Sequence, residues 1–177
     1  LKSHEHLREH AILGLAQGGH LELLKKELLK YEMLRTAAIL GAIWGGQVEI
    51  FRELYKDDSS AALDPIQIIQ VAVQSGHMAM LLELVQMFGI KEEDRYDLIQ
   101  QAILYSRADI TEYLLESRED LRSNAIEKAA NSENIYMLQS LLEGHEDLAG
   151  YTLIYAAKND NLKIFENLLD THRYINS

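Results

Sequence analysis

Three histidines near the N-terminus have the residue type and spacing that could bind a divalent metal ion. His6 and His10 are four residues apart and therefore share one helix face, with Glu9 beside them and His4 just before. Two interpretations stay open: a weak metal site, or a solvated first helix at a chain end. We favour the second, because a metal site also needs partners behind its ligands and the sequence shows none. We therefore predict no metal site.

The rest of the chain contains no catalytic motif. His20 and Glu22 have the H-x-E spacing of zinc deaminases, but those enzymes also need cysteine ligands, and the chain has no cysteine. The glycines between Gly14 and Gly19 miss the spacings of dinucleotide and P-loop motifs, and neither G-x-S-x-G nor H-E-x-x-H is present. The sequence predicts no catalytic residue, no cofactor and no enzymatic activity.

Charge and hydropathy restrict the partners. The chain has 17 Lys and Arg residues against 28 Asp and Glu residues, for a net charge of −11. A field of this sign repels phosphate backbones and anionic lipid, and no apolar stretch is long enough to span a bilayer. The lack of cysteine fits a reducing compartment. We therefore expect no nucleic-acid partner, no membrane partner, and an intracellular, cytoplasmic location.

Length and composition predict a single domain over residues 1–177. Apolar residues make up 47% and charged residues 25%, which is a globular balance. The chain has one proline and no run of glycine or serine, so no flexible linker divides it. Because the chain opens with Leu1 rather than methionine, it is also consistent with a fragment of a longer protein.

Six segments repeat one pattern around a turn. The turn positions are 27 or 30 residues apart and are Gly19, Gly46, Gly76, Ser106, Glu133 and Asp160. Seven positions before each turn (position −7) lies a branched aliphatic residue, and position −4 is alanine in every segment except the first. From the second segment onward, position +8 is leucine: Leu54, Leu84, Leu114, Leu141 and Leu168. The first segment has Glu27 there, followed by Leu28.

The spacing of apolar residues in each segment predicts two helices joined by the turn. Apolar residues fall at −8, −7, −4 and −3 before it and at +2, +4, +5, +8 and +9 after it, which is helical spacing. Asp64 and Pro65 have the types of an N-cap and a first helical residue, and Ser123 is a second candidate N-cap. Helix pairs this short must stack to bury their apolar stripes. We predict an all-α fold, an α-solenoid of about six stacked helix-turn-helix repeats.

The repeated segments resemble the ankyrin repeat, whose pattern runs roughly T-P-L-H-x-A-A-x-x-G-H-L-E-I-V-x-x-L-L. The best matches are AQGGHLELL at 16–24, SGHM at 75–78 and AAKNDNLKIF at 156–165, and the similarity spans about residues 9–169. The resemblance implies stacked helix pairs, and it implies that His20 and His77 stabilise their turns by bonding local backbone. These repeats are shorter than the usual unit of about 33 residues and lack the T-P-L-H start. We therefore expect reduced or absent β-hairpin fingers.

The predicted binding surface is the solvent side of the first helices, which such folds turn towards their concave face. Positions −2 and −1 there hold amide, aromatic and small residues. We expect Trp44, Gln74, Leu104 and Tyr105 to form one contiguous patch for a protein or peptide partner, with Tyr96 near the same edge. Trp44, the single tryptophan, is a natural hot spot. The other interpretation, in which Trp44 fills a gap between neighbouring repeats, is equally open.

These features favour a non-enzymatic protein–protein interaction module, an ankyrin-like scaffold that binds through its concave face. An alternative is a regulatory or targeting segment of a larger enzyme or of a bacterial effector, which would act in the host cytoplasm. A third is an enzyme with an unrecognised site on the same face. If the concave patch holds the partner, charge changes on the outer face at Lys25, Arg52 or Glu112 should matter far less for binding than changes in the patch.

Overall fold

The computed structural model describes residues 2–55, 63–145 and 147–175, with side chains described for residues 6–55, 63–145 and 147–170. Within these ranges the chain is helical and has no strand, which confirms the all-α prediction. The helices follow one another as pairs: α1 (Lys2–Gln17) and α2 (Leu21–Leu28), α3 (Arg35–Trp44) and α4 (Val48–Tyr55), α5 (Pro65–Ser75) and α6 (Met78–Phe88), α7 (Glu92–Leu104) and α8 (Ala108–Leu115), α9 (Arg122–Asn131) and α10 (Ile135–Leu142), α11 (Asp147–Lys158) and α12 (Leu162–Ile175). Short 3-10 helices at Glu32–Leu34 and Glu119–Leu121 lead into α3 and α9.

A residue in the left-handed conformation separates the two helices of every pair. In each pair this residue is the one predicted as the turn position, with φ between +50° and +83°: Gly19, Gly46, Gly76, Ser106, Glu133 and Asp160. In most of the turns the next amide donates back to the carbonyl at −4, as from Gln47 to the Ala42 oxygen at 2.8 Å. This bond satisfies a carbonyl at the end of the first helix and reverses the chain. The predicted turns are confirmed.

The chain forms two compact units, Leu1–Lys91 and Glu92–Ser177. In the first unit, α3 packs against both α1 and α5, and α4 packs against α6. In the second unit, α9 packs against both α7 and α11, and α10 packs against α8. First helices therefore lie beside first helices, and second helices beside second helices. The single domain expected over residues 1–177 stays a prediction.

The apolar positions read from the sequence form the core of both units. Every residue at −7 is buried apart from the half-buried Leu153, and the leucines at +8 are all buried. The alanines at −4 are fully buried: Ala42, Ala72, Ala102, Ala129 and Ala156. Small residues at this position allow neighbouring first helices to approach closely. No helix in the described ranges is long and apolar enough to cross a bilayer.

The two predicted N-caps have different outcomes. The Asp64 carboxylate accepts a hydrogen bond from the Ile66 amide at 3.2 Å, and α5 begins at Pro65, so this cap is confirmed. The prediction for Ser123 is wrong. The 3-10 helix Glu119–Leu121 carries the chain directly into α9, which begins at Arg122 and has no side-chain cap. Ser123 therefore lies inside the first turn of α9 rather than before it.

Candidate functional site

Trp44 lies at the end of α3 and lines an apolar groove in the first unit. The groove has a volume of about 350 Å³, and its walls are Leu13, Gln17, Leu40, Trp44 and Val71, from α1, α3 and α5. The Trp44 side chain is 43% exposed. The indole thus lines a groove shared with neighbouring helix pairs and presents much of its surface to solvent. Whether it binds a partner or fills a gap between repeats stays open.

Two glycines bring the backbone of α3 against α1 and so shape this groove. A Cβ atom at Gly41 would lie 2.5 Å from the Leu13 carbonyl oxygen, and one at Gly45 would overlap the carbonyl of Gln17. Leu13 and Gln17 are four residues apart, as are Gly41 and Gly45, so the helices meet along matching faces. This close approach places Trp44 directly beside the α1 wall of the groove.

The turn next to the groove is held by an amide side chain. The Gln47 Nε2 atom donates to the carbonyl oxygens of Gln17 and Gly45, both at 3.2 Å. These bonds tie the end of α3 to the end of α1, which fixes the backbone that supports Trp44. Gln74, predicted as part of the same patch, is half-buried near the end of α5, three residues beyond the groove residue Val71.

The second unit carries the other predicted residues. Leu104 and Tyr105, at the end of α7, are 61% and 42% exposed, and Tyr96 is also exposed earlier on α7. The structure places these three in one unit and Trp44 with Gln74 in the other. The contiguous patch and its partner-binding role stay predictions.

Two tyrosines that the sequence analysis missed add to the first-helix surface of the second unit. The Tyr151 hydroxyl donates to the Glu127 carboxylate, and the Tyr155 hydroxyl donates to the Asn131 side-chain oxygen at 3.0 Å. The hydrogen bond to Glu127 raises the pKa of the Tyr151 phenol. The four-residue spacing of the tyrosines on the solvent side of α11 was the signal that could have identified them.

A buried arginine organises a charged cluster at the start of α9. Arg122 is 5% exposed and donates to both carboxylate oxygens of Glu112, to Glu119, and to the Leu141 carbonyl at 3.2 Å. Burial acts to lower the pKa of the guanidinium, but the bonds to both carboxylates outweigh it and the pKa is raised. Glu112 compensates the buried Arg122 charge, so it has a structural role. That a charge change at Glu112 matters little for binding stays a prediction.

Arginine also occupies position −11, the position of Arg122, in other helix pairs. Arg35 donates to the Leu54 carbonyl at 3.0 Å, and Arg95 donates to the Leu114 carbonyl at 3.5 Å. Each lies eleven residues before its turn, as Arg122 does, and each bonds the end of the second helix in its own pair. A cation there satisfies a terminal carbonyl and opposes the negative end of the helix dipole. These arginines are structural.

The outer-face charges Lys25 and Arg52 also make contacts between pairs. Lys25 donates to Glu53 at 2.8 Å, which joins α2 to α4, and Arg52 donates to Glu83 at 2.7 Å, which joins α4 to α6. The hydrogen bond from Arg52 lowers the pKa of Glu83. The carboxylates of Glu53 and Glu83 thus pair with cations of a neighbouring helix pair.

The histidines have local structural contacts. The His10 Nδ1 atom donates to the His6 carbonyl at 2.9 Å, and among the described residues no three potential ligands cluster as a metal site needs. The side chain of His4 lies outside the described residues. His20 and His77 precede second helices without capping them, and the His77 ring instead packs against Gly46. Neither ring bonds the backbone at the start of its second helix, so the bond to local backbone that the resemblance implies for His20 and His77 is not found at these caps.

Comparison with protein-family models, with curated proteins and with solved structures finds no match to this chain.

Proposed function

We propose that this chain is an ankyrin-like α-solenoid that binds a protein or peptide through the solvent side of its first helices. The recurring helix pairs, the left-handed turn in each pair and the small buried residue at −4 support the ankyrin-like interpretation. So does the packing of first helices side by side within each unit. The shortness of the segments, at 27 or 30 residues, favours a solenoid without β-hairpin fingers.

The observation that carries the proposal is the half-exposed Trp44 in its apolar groove. The indole lines the groove with Leu13, Leu40 and Val71 and presents a large rigid surface, and little conformational freedom is lost when a partner covers it. A groove of about 350 Å³ is large enough for one bulky side chain of a bound segment. Gln17 supplies an amide at the wall that can bond the backbone of that segment.

The same proposal assigns no catalytic role. The charged groups described above are engaged in ion pairs and helix caps, so the partner surface rests on shape and apolar contact rather than on reactive groups. A cytoplasmic location, which fits a cysteine-free chain, belongs to this proposal as well.

Selection of peptides from a random phage-displayed library against the full chain tests the proposal. Selected peptides should contain a large apolar residue and should shift the fluorescence of Trp44, the single tryptophan. Trp44→Ala should weaken their binding by about 2 kcal/mol or more, which is roughly a thirtyfold change in Kd. If the partner also contacts the second unit, Tyr105→Ala should weaken binding by a comparable amount.

The control is Lys26→Glu, on an exposed face of α2, which should leave both binding and the helical signal unchanged. It replaces the outer-face changes at Lys25, Arg52 and Glu112, because those three residues have structural contacts. Peptides that bind Trp44→Ala as tightly as the wild-type chain would place the binding surface elsewhere.

A further inference from the structure

A second pocket of the first unit lies among the ends of α2 and α4 and the start of α3. It has a volume of about 440 Å³, and its charged walls are Lys25, Glu32, Arg35 and Glu53. The residues that line it differ from those of the groove around Trp44. Its volume falls within the range of about 300–1,000 Å³ that is typical of small-molecule sites. Its charges therefore indicate which ligand it suits.

The second unit has an equivalent site that its own side chains fill. Three pairs of residues occupy matching positions, at −11, at −14 and at +6 of the preceding helix pair: Arg35 and Arg122, Glu32 and Glu119, Lys25 and Glu112. In the second unit the carboxylates of Glu112 and Glu119 both accept hydrogen bonds from the Arg122 guanidinium, which is buried. The chain itself thus neutralises the charge of this arginine.

In the first unit the same positions leave two charges apart. Arg35 is half-buried, and its Nη1 atom donates to the Leu54 carbonyl at 3.0 Å, which uses one of the five N–H donors of a guanidinium. Lys25, in the place of Glu112, is paired with Glu53 at 2.8 Å. Among the described residues no carboxylate pairs with Arg35 and no cation pairs with Glu32. One cation and one carboxylate without a partner therefore line a single pocket.

A ligand that satisfies both groups must carry both charges. A carboxylate accepts two parallel hydrogen bonds from a guanidinium, as Glu112 does from Arg122. An ammonium group donates to a carboxylate such as that of Glu32. The terminus of a peptide offers only one of these charges, whereas a free amino acid carries both on neighbouring atoms. The charge pattern thus favours a free amino acid over a peptide end.

The rest of the pocket wall is apolar. It consists of Leu28, Leu29 and Leu54, and Leu29 is 89% exposed at the position where the second unit has Glu116. A ligand that covers this leucine removes apolar surface from water, which stabilises the complex. An aliphatic side chain on the ligand supplies that contact.

We propose that the pocket at Arg35 binds a free α-amino acid with an aliphatic side chain. Its carboxylate bonds Arg35, its ammonium group bonds Glu32, and its side chain packs on Leu29. The second unit has no equivalent activity, because Glu112 and Glu119 already occupy Arg122. This site is separate from the groove around Trp44, so the two proposals stand or fall independently.

Three ligands of similar shape test which charges the pocket recognises. Isothermal titration calorimetry of the full chain at pH 7 compares L-leucine with 4-methylpentanoate, which lacks the ammonium group, and with leucinamide, which lacks the carboxylate. We expect L-leucine to bind about tenfold or more tightly than either analogue, because each analogue leaves one charged group of the pocket without a partner. Equal affinities for the three, or no saturable binding of L-leucine, would overturn the proposal.

A variant at Glu32 tests the ammonium contact without disturbing the fold. Glu32 is exposed and makes no ion pair with a described residue, so Glu32→Gln should leave the melting temperature unchanged. Its affinity for L-leucine should fall to that for 4-methylpentanoate, whose own affinity should not decrease. The matched control is Glu93→Gln, at an exposed carboxylate of the second unit, which should change neither affinity. A preference for L-leucine that survives Glu32→Gln would contradict the proposed site.

A second variant closes the pocket while keeping Arg35 and Glu32. Lys25→Glu combined with Glu53→Ser copies Glu112 and Ser140 of the second unit. The new carboxylate should pair with Arg35 and abolish the binding of L-leucine, with the helical signal preserved. Binding that persists in this variant would exclude Arg35 as the carboxylate site.

A final variant tests whether the chain supplies the ligand itself. Asp57 and Asp58 follow α4 in the sequence and lie outside the described residues. Asp57→Asn combined with Asp58→Asn should leave the affinity for L-leucine unchanged. If L-leucine binds only to this variant, a carboxylate of the chain occupies the pocket and the proposal is wrong.

Discussion

The two units build the same turn from different residues. In the first unit the left-handed position is glycine in all three turns, and in the second it is Ser106, Glu133 and Asp160. A residue with a Cβ atom adopts this conformation at a cost of roughly 1 kcal/mol. The geometry is nevertheless the same, so the packing of the helix pairs dictates the turn, and glycine only makes it less costly.

The surfaces of the two units differ as well. Beside α1 and α3 the first unit forms an apolar groove around Trp44, whereas in the second unit tyrosine hydroxyls of α11 donate to Glu127 and Asn131 of α9. Residues 1–91 hold 9 Lys and Arg against 11 Asp and Glu, while residues 92–177 hold 8 against 17. The described surface of the first unit is therefore apolar at this groove, while that of the second unit is polar and its sequence is more acidic.

The largest expected effect tests whether the two units share one kind of core. Ala42→Glu in the first unit and Ala102→Glu in the second should each destabilise the fold by about 4 kcal/mol, because both alanines are fully buried and an unpaired charge adds to overpacking. Thermal unfolding followed by circular dichroism measures this. An unchanged melting temperature in either variant would contradict the shared core.

A smaller effect should distinguish the units at position −1. Gly45→Ala forces a Cβ atom into the Gln17 backbone and should cost about 3 kcal/mol. The equivalent Ser132→Ala in the second unit removes only an exposed hydroxyl that bonds the Lys128 carbonyl, and should change stability by less than about 0.5 kcal/mol. Urea denaturation of both variants gives the comparison. Equal losses would mean that the close approach of α1 and α3 has no special role.

Exchanging the turn residues should have opposite consequences in the two units. Gly46→Ala should destabilise by about 1 kcal/mol or more, since φ is +67° there and the new Cβ atom would meet the His77 ring. Glu133→Gly should stabilise the fold by about 0.5 to 1 kcal/mol, because glycine adopts the left-handed backbone conformation at this position without the steric cost of a Cβ atom. Denaturant midpoints provide the measurement. A destabilised Glu133→Gly variant would show that its side chain matters more than its backbone.

The smallest effect concerns pH. The hydrogen bond from Arg52 lowers the pKa of Glu83 below its ordinary 4.5 in the folded state. The ion pair therefore stabilises the folded state fully above pH 4.5, and this stabilisation is lost as the pH falls through the lowered pKa of Glu83. The melting temperature of Glu83→Gln should thus lie slightly below that of the wild-type chain at pH 7 and converge with it in acid. The equivalent contact in the second unit, between Gln139 and Asn167 at 3.1 Å, does not titrate. Gln139→Ala should therefore show a difference that is independent of pH.

Much of the fold could be predicted from the sequence because its signals are local. Period-3.6 apolar positions and turn residues at regular spacing identify the helices and their buried faces without knowledge of distant contacts. The prediction of an N-cap at Ser123 is wrong because it relied on a local signal alone. A serine before an apolar run is a local signal, but the 3-10 helix and the buried Arg122 that decide where α9 begins depend on Glu112 and Leu141.

The candidate site was only partly accessible to the same reasoning. Trp44 was identified from its position in the repeat, yet the groove beside it exists because Gly41 and Gly45 allow contact with residues 28 positions earlier in the chain. The hydroxyl partners of Tyr151 and Tyr155 lie 24 positions earlier, on α9. Contacts at such separations follow from the stacking of the pairs, so the sequence pattern shows only that a residue is on the solvent side.

The helical pairs, the six turns and the columns of apolar residues can be read from the sequence, since each follows from the spacing of residues within one segment. The packing of the pairs within each unit was needed to show which apolar residues are buried, which outer charges make structural contacts and where an aromatic residue lines a groove. Burial depends on the neighbouring pair and not on the segment alone. The same column is buried in an internal pair and exposed in a terminal one, as Leu23 and Met137 show at +4.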